Sequence, residues 1–160
     1  MSDFDDADRK ILEMLQQNGR TPYAELGKAV GLSISSANER VRKLYDRGVI
    51  AGVYSVISPS ALRLDLLAFV FVGWTDPATE DLFLARAARE PSILECHHVT
   101  GQWNALLKIR TRTPRDLEIF LGGLVKSIPG VQRTETLIVM SSAKETFHLP
   151  VEFPTYQDAR

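Results

Sequence analysis

Apolar residues recur at helical spacing along the first third of the chain and gather into short runs in the remainder. From Asp5 to Asn18, Ile11, Leu12 and Leu15 mark one face of a helix, and Gly19 follows where a stop is expected. Thr21 can cap and Pro22 can open a second helix that runs to Val30 with Tyr23, Leu26 and Val30 inward. Gly31-Leu32 makes a tight turn. From Ser33 a third helix places Ile34, Ala37, Val41 and Leu44 on one buried stripe and leaves Ser35, Ser36, Asn38, Glu39, Arg42 and Lys43 outside. Ser33 is its N-cap, and Gly48 accepts the left-handed conformation that ends a helix. Val49 to Ile57 is β-rich with a bend at Gly52, which suits a short hairpin. Two helices, a glycine turn, a serine-capped helix and a hairpin spell a winged helix-turn-helix whose third helix enters the major groove.

Ser58-Pro59-Ser60 breaks this pattern and opens a polar connection. The expected boundaries are a first domain over 1–60, a linker over 61–65, a second domain over 66–146 and a C-terminal tail over 147–160 that contains Pro150 and Pro154. Leu66 to Trp74 is an apolar run short enough to be a buried strand. Asp76-Pro77 to Arg89 carries Leu82, Ala85, Ala88 and Arg89 in a helical pattern that Pro91 ends. Ile93 to Thr100 and Ala105 to Arg112 are hairpin strands around the turn Gly101-Gln102-Trp103-Asn104. Thr113 caps a helix opened by Pro114, with Leu117, Phe120, Leu121, Leu124 and Ile128 as its apolar face, and Pro129-Gly130 stops it. Val131 to Ser142 is the last strand. The class is α+β: a winged helix-turn-helix joined to a βαββαβ ferredoxin-like domain, a four-stranded antiparallel sheet with two helices on one face. Its uncovered face carries apolar side chains and is expected to pack on another copy.

An apolar share of 44% over 160 residues suffices for packed cores. The formal net charge of −1 does not suggest a nucleic-acid binder until its placement is considered. Asp3, Asp5, Asp6 and Asp8 crowd the first turn of the first helix and suit its dipole, whereas Arg40, Arg42, Lys43 and Arg47 fall on the third. No apolar run reaches the roughly 20 residues of a membrane helix, so a cytoplasmic, nucleoid-associated protein without membrane contact is expected. Cys96 is the only cysteine, which rules out an intrachain disulfide and disfavours a cysteine-built zinc site.

Taken together, these residues resemble the Lrp/AsnC family of bacterial and archaeal transcription regulators. The resemblance runs through Phe4-Asp5-Asp6-Ala7-Asp8, Ile11-Leu12, Leu15 to Arg20, Glu25-Leu26-Gly27, Val30 to Ser33, Arg40-Val41, Leu44, Gly48-Val49-Ile50 and Gly52. It continues through Ala68-Phe69-Val70, Val99-Thr100-Gly101, Leu106-Leu107, Pro129-Gly130-Val131 and Lys144. It implies a homodimer formed through the sheets, further assembly in many members to tetramers or octamers, and a small-molecule effector, usually an amino acid, at the junctions between dimers. It places the effector at Gly101, Gln102, Trp103, Asn104 and Ala105, with Thr136, Leu137 and Ile138 contributing. The chain departs from its relatives where many carry Asp at the position of Asn104, an aromatic at Ala105 and a glycine at Arg63. The missing carboxylate removes a partner for an α-ammonium group.

The expected double-stranded DNA contacts are Ser33, Ser35, Ser36, Asn38, Glu39, Arg40, Arg42, Lys43 and Arg47, with hydroxyls and amide at base edges and cations at phosphates or guanine. Arg40 has a second reading, as an anchor to an acid of the first helix or a carbonyl. Cys96-His97-His98 suggests a metal, but successive strand residues alternate faces, so His97 points away from the other two and an ordinary half-buried strand is the simpler reading. His98 toward the turn is a candidate pH-sensitive contact. Trp103 either stacks on a ligand or fills an interface. No nucleophile with its base, paired carboxylates or phosphate loop stands out, so neither catalysis nor a cofactor is expected. The competing function is a DNA-packaging protein of the same architecture with little sequence choice.

Overall fold

The computed structural model describes residues 4–151, and divides into two compact units. One takes the described residues up to Val56 together with those from Lys144 onward; the other is Ile57–Ala143. Asp3 and Pro154 lie outside the described residues.

The first unit is built on three helices, α1 (Asp6–Gln17), α2 (Tyr23–Val30) and α3 (Ile34–Asp46). Asp5 caps α1 by accepting from the Asp8 amide at 2.8 Å, and Ser33 caps α3 by accepting from the Ser36 amide at 3.1 Å. Gly31 (φ 68°) and Gly48 (φ 69°) take the left-handed conformation that closes α2 and α3. Ile11, Leu26, Ala37, Val41 and Leu44 form the core. The expected inward faces need two corrections: Tyr23 is 42% exposed and Ile34 59% exposed, because each opens its helix and projects past the end of the packed stripe.

The hairpin expected over Val49 to Ile57 does not form within the chain. Val49 and Ile50 bond back to the Leu44 carbonyl, and the following residues run on without a paired strand among the described residues, with Val53, Tyr54, Val56 and Ile57 exposed. β-branched residues favour extended backbone, but a strand also needs a partner for its amides and carbonyls. The segment passes close to the turn after α1: a Cβ on Gly19 would lie 2.6 Å from Val53 Cγ1. Gly19 therefore makes room for the segment, while Asn18 caps the helix. From the C-terminal piece, Leu149 exchanges two bonds with Gln16 of α1, its amide donating to Gln16 Oε1 at 2.7 Å and its carbonyl accepting from Gln16 Nε2 at 2.9 Å.

The second unit is a four-stranded antiparallel sheet, β1 (Leu66–Trp74), β2 (Ile93–His98), β3 (Ala105–Thr111) and β4 (Val131–Ile138), in the order β2-β3-β1-β4. Helices α4 (Ala78–Ala87) and α5 (Pro114–Phe120) lie on one face, and a wider π turn over Leu121–Val125 continues α5. Ala68, Val70, Val72 and Trp74 of β1 and Ala105, Leu107 and Ile109 of β3 meet Phe83, Ala87, Leu117, Phe120, Val125 and Ile128 in one core. The buried face of α4 differs from the one its sequence pattern predicts. Thr79, Phe83 and Ala87, four residues apart, are buried, whereas Leu82, Ala85, Ala88 and Arg89 are exposed. The expected capping of α5 holds as a reciprocal box between Thr113 and Asp116. The side chain of Leu124 lies outside the described residues.

Arg63 follows a short 3-10 turn (Ser60–Leu62) with φ 58°, the left-handed region a glycine would occupy freely. The turn is kept despite the side chain.

Candidate nucleic-acid interface and effector turn

Helix α3 turns Ala37, Val41 and Leu44 inward and leaves Ser33, Ser35, Ser36, Asn38, Glu39, Arg42, Lys43 and Arg47 exposed. Within that surface the charged side chains are not equivalent. Arg40 Nη1 donates to Asp5 Oδ2 at 2.7 Å and to Asp8 Oδ1 at 2.8 Å. Of its two readings, the geometry is that of an anchor from α3 to the start of α1. The Asp8 and Asp5 carboxylates hold the guanidinium above its ordinary value, while the Asp8 amide, then Arg40, hold the Asp5 carboxyl below the usual range. Lys43 pairs with Glu39 at 2.8 Å one turn away, which lowers the Glu39 carboxyl. Arg47 lies over the Phe4 ring at 5.2 Å. The recess among Asp8, Ser36, Glu39, Arg40, Lys43, Asp46 and Arg47 thus mixes both signs of charge. Ser33 Oγ lies 3.0 Å from Ser35 Oγ and 2.8 Å from Ser36 Oγ, a hydroxyl cluster at the helix start.

In the sheet unit, Gly101 (φ 108°) allows the sharp turn between β2 and β3. Asn104 ties the turn to β1: its amide donates to the Val72 carbonyl at 3.0 Å, its carbonyl accepts from Val99 at 3.1 Å, and its side-chain oxygen accepts from the Trp74 amide at 2.8 Å. Asn104 Oδ1 therefore has a structural bond within the chain. Ala105 is buried under the helices. Trp103 lies 5.9 Å from Phe71, and Arg133 stacks over it at 4.5 Å while donating to the Gln102 carbonyl.

Thr136, Leu137 and Ile138 pair with Val70, Phe69 and Ala68 instead. β4 runs antiparallel to β1, so its start meets the turn, and at about 3.3 Å per residue Thr136 lies roughly 10 Å and Ile138 roughly 16 Å along the strand from Arg133. Within one chain the turn meets Arg133 of β4. Arg133 was missed in the sequence, although Gly73 signalled it. A glycine inside an apolar strand marks a close approach, and a Cβ there would lie 2.8 Å from Arg133 Nε.

The side chains of β2 diverge as strand alternation requires. His97 meets Glu95 at 3.2 Å, Cys96 packs against the core with its thiol pushed up by burial, and His98 Nδ1 lies 3.0 Å from Glu80 of α4. Burial pulls the Glu95 carboxyl upward, but bonds from His97 and Lys108 outweigh it and hold it below its ordinary value. Among the described residues no cluster of His, Cys, Asp and Glu is placed to hold a metal, and no helix is long and apolar enough to cross a membrane.

A helix-turn-helix with an outward hydrogen-bonding helix, joined to an antiparallel sheet unit with a tied glycine turn, defines a two-unit DNA-binding regulator. Residues 67–149 match the family model described as the Lrp/AsnC ligand binding domain, and residues 4–51 match that of a winged helix-turn-helix DNA-binding domain. The chain belongs to the Lrp/AsnC family of transcription regulators. It is 38% identical over 149 residues to an HTH-type transcriptional regulator of Pyrococcus horikoshii, covering 93% of this chain and 97% of that one. It is 36% identical over 152 residues to the leucine-responsive regulatory protein of Escherichia coli, covering 94% and 93%. Among solved structures, a Neisseria meningitidis transcriptional regulator in complex with L-Met superposes with a TM-score of 0.88 at 31% identity, covering 92% of this chain and 97% of that one. Escherichia coli AsnC superposes with a TM-score of 0.86 at 31% identity, covering 92% and 99%.

Proposed function

We propose that α3 reads base edges through Ser35, Ser36 and Asn38, that Arg42 contributes a phosphate contact, and that a metabolite bound near the Gly101–Ala105 turn controls the assembly. The observation that carries this reading is the way α3 is held. Ser33 closes its first turn and Arg40 pins it to α1, so the exposed hydroxyls, the Asn38 amide and the Arg42 guanidinium ride on a fixed helix.

The uncovered sheet face carries Phe69, Phe71, Leu106 and Leu137, with Leu137 half exposed, and supports a homodimer. Two recognition helices of a dimer then address half-sites about 34 to 36 Å apart or a multiple of that, on a pseudo-palindromic operator. The L-Met complex of the Neisseria relative supports an amino acid or related molecule as effector. By the family resemblance the ligand sits at the junctions between copies, where it would draw on both the turn and the Thr136–Ile138 stretch. It acts by binding one assembly more tightly than another. The protein works by binding rather than catalysis, in the cytoplasm.

Affinity for specific and random duplex at several salt concentrations tests the reading. Arg42→Ala weakens both and reduces the salt slope by about 1, whereas Asn38→Ala chiefly lowers their ratio. Unchanged affinity and ratio in both variants would show that the helix face is misassigned. A thermal-shift panel of amino acids and aromatic acids tests the effector, since a ligand of the folded form raises the melting temperature. Silence there, with a specificity ratio near one, would favour DNA packaging instead.

A further inference from the structure

Ile34 is the first residue of α3 and stands exposed; apart from Tyr45 in the last turn, the exposed surface of the helix is made of hydroxyls, an amide and charges. Single exposed aliphatics are common on proteins; the place of this one is what matters. Ile34, Asn38 and Arg42 follow one another at four-residue steps and form a row on the helix surface, all exposed, beside the buried stripe of Ala37, Val41 and Leu44. The row runs aliphatic, amide, guanidinium. The first-turn hydroxyls cluster about the cap, Ser33 Oγ lying 3.0 Å from Ser35 Oγ and 2.8 Å from Ser36 Oγ. Ile34 is left as the apolar projection at the end of the helix.

The first residues of a recognition helix are the ones that meet base edges. In the major groove those edges offer donors and acceptors, with one apolar exception, the C5-methyl of thymine. An isoleucine pressed on donors and acceptors removes their water without replacing the bonds. Against a methyl, both partners leave water favourably.

We propose that Ile34 reads thymine, packing on the C5-methyl of one thymine in each half-site. Four residues along a helix span about 6 Å and base pairs stack about 3.4 Å apart, so that thymine lies one or two base pairs from the pair met by Asn38. The inference rests on the recognition-helix role given to α3 above.

Duplexes enriched by the full chain from a random pool supply the test. Each thymine of the enriched half-site is replaced by deoxyuridine, which deletes the methyl and keeps the base pair. At one thymine per half-site the unaltered chain is expected to lose about four-fold in affinity, the effect of one methyl-sized group returned to water. Ile34→Ala then binds the thymine and uracil duplexes equally at that position, and Ile34→Val retains the discrimination. A defined enriched sequence with no uracil-sensitive thymine overturns the assignment on the unaltered chain alone. So does full sensitivity retained in Ile34→Ala. Either result leaves the regulator standing, whereas enrichment of no sequence overturns the recognition helix itself and this assignment with it.

Discussion

Replacing Arg40 by methionine distinguishes an anchor from a phosphate contact. The Asp5 side chain is 54% exposed, so its pairing with Arg40 is screened by solvent. Asp8 is only 13% exposed, so methionine leaves a largely covered carboxylate without its donor. A hydrogen bond to a charged group contributes about 1.5–3 kcal/mol, and because the Arg40 side chain is itself about a third exposed the lower end applies, about 1.5 kcal/mol. That is roughly a tenfold change in a local opening equilibrium. Amide hydrogen exchange on the full chain is the suitable readout, because a single melting curve of a two-unit protein does not isolate one unit. Amides of α1 and α3 should exchange roughly tenfold faster in Arg40→Met, and those of β1 and β3 should not change. Adding Asp8→Asn should recover part of the loss, since a neutral amide does not need the cation. Duplex affinity should change little, with the salt slope preserved, because the folded form still dominates. A slope reduced by about 1 with unchanged exchange would refute the anchor and return Arg40 to the phosphates.

Asn104→Leu removes the acceptor of the Trp74 amide and should destabilise the sheet unit by about 1–3 kcal/mol, seen as faster exchange at β1 and β3. Gly130→Ala combines φ 89° with a Cβ 1.9 Å from Oγ1 of the buried Thr79; rotating that side chain brings in its methyl at a similar place, so a loss of about 3 kcal/mol in the same unit is expected in urea unfolding followed by the fluorescence of Trp74 and Trp103, both of which lie in that unit. Asp5 titrates below its ordinary value when folded and so binds a proton less readily than in the unfolded chain. Its contribution is therefore present above about pH 4 and fades as pH falls through the lower folded value; exchange at the start of α1, corrected for intrinsic rate, should rise there and nowhere near neutrality.

Elements whose caps and periods agree were legible in the sequence: Ser33 and Gly48 bound α3, Thr113 and Pro114 open α5, and the run Leu66–Trp74 is β1 residue for residue. What escaped depends on partners distant in sequence. The period of α4 admits two faces, and the sheet selects Thr79, Phe83 and Ala87 rather than the alanines further on. Val49 to Ile57 has strand composition but lacks a partner strand among the described residues, which composition does not encode. Arg40 had two readings until the fold brought Asp5 and Asp8 to it. At the turn, the residues between strands were legible, but Arg133 was visible only once the register of β4 on β1 placed it opposite Gly73.

The pairing of Leu149 with Gln16 joins residues 133 apart in sequence. At about 5–20 residues per second, a ribosome needs roughly 7 to 27 seconds to make that interval. Helix α1 leaves the exit tunnel long before the segment that will lie on it has been synthesised. Until then the Gln16 amide faces water, and the piece that completes the first unit is the last of the described chain to be born.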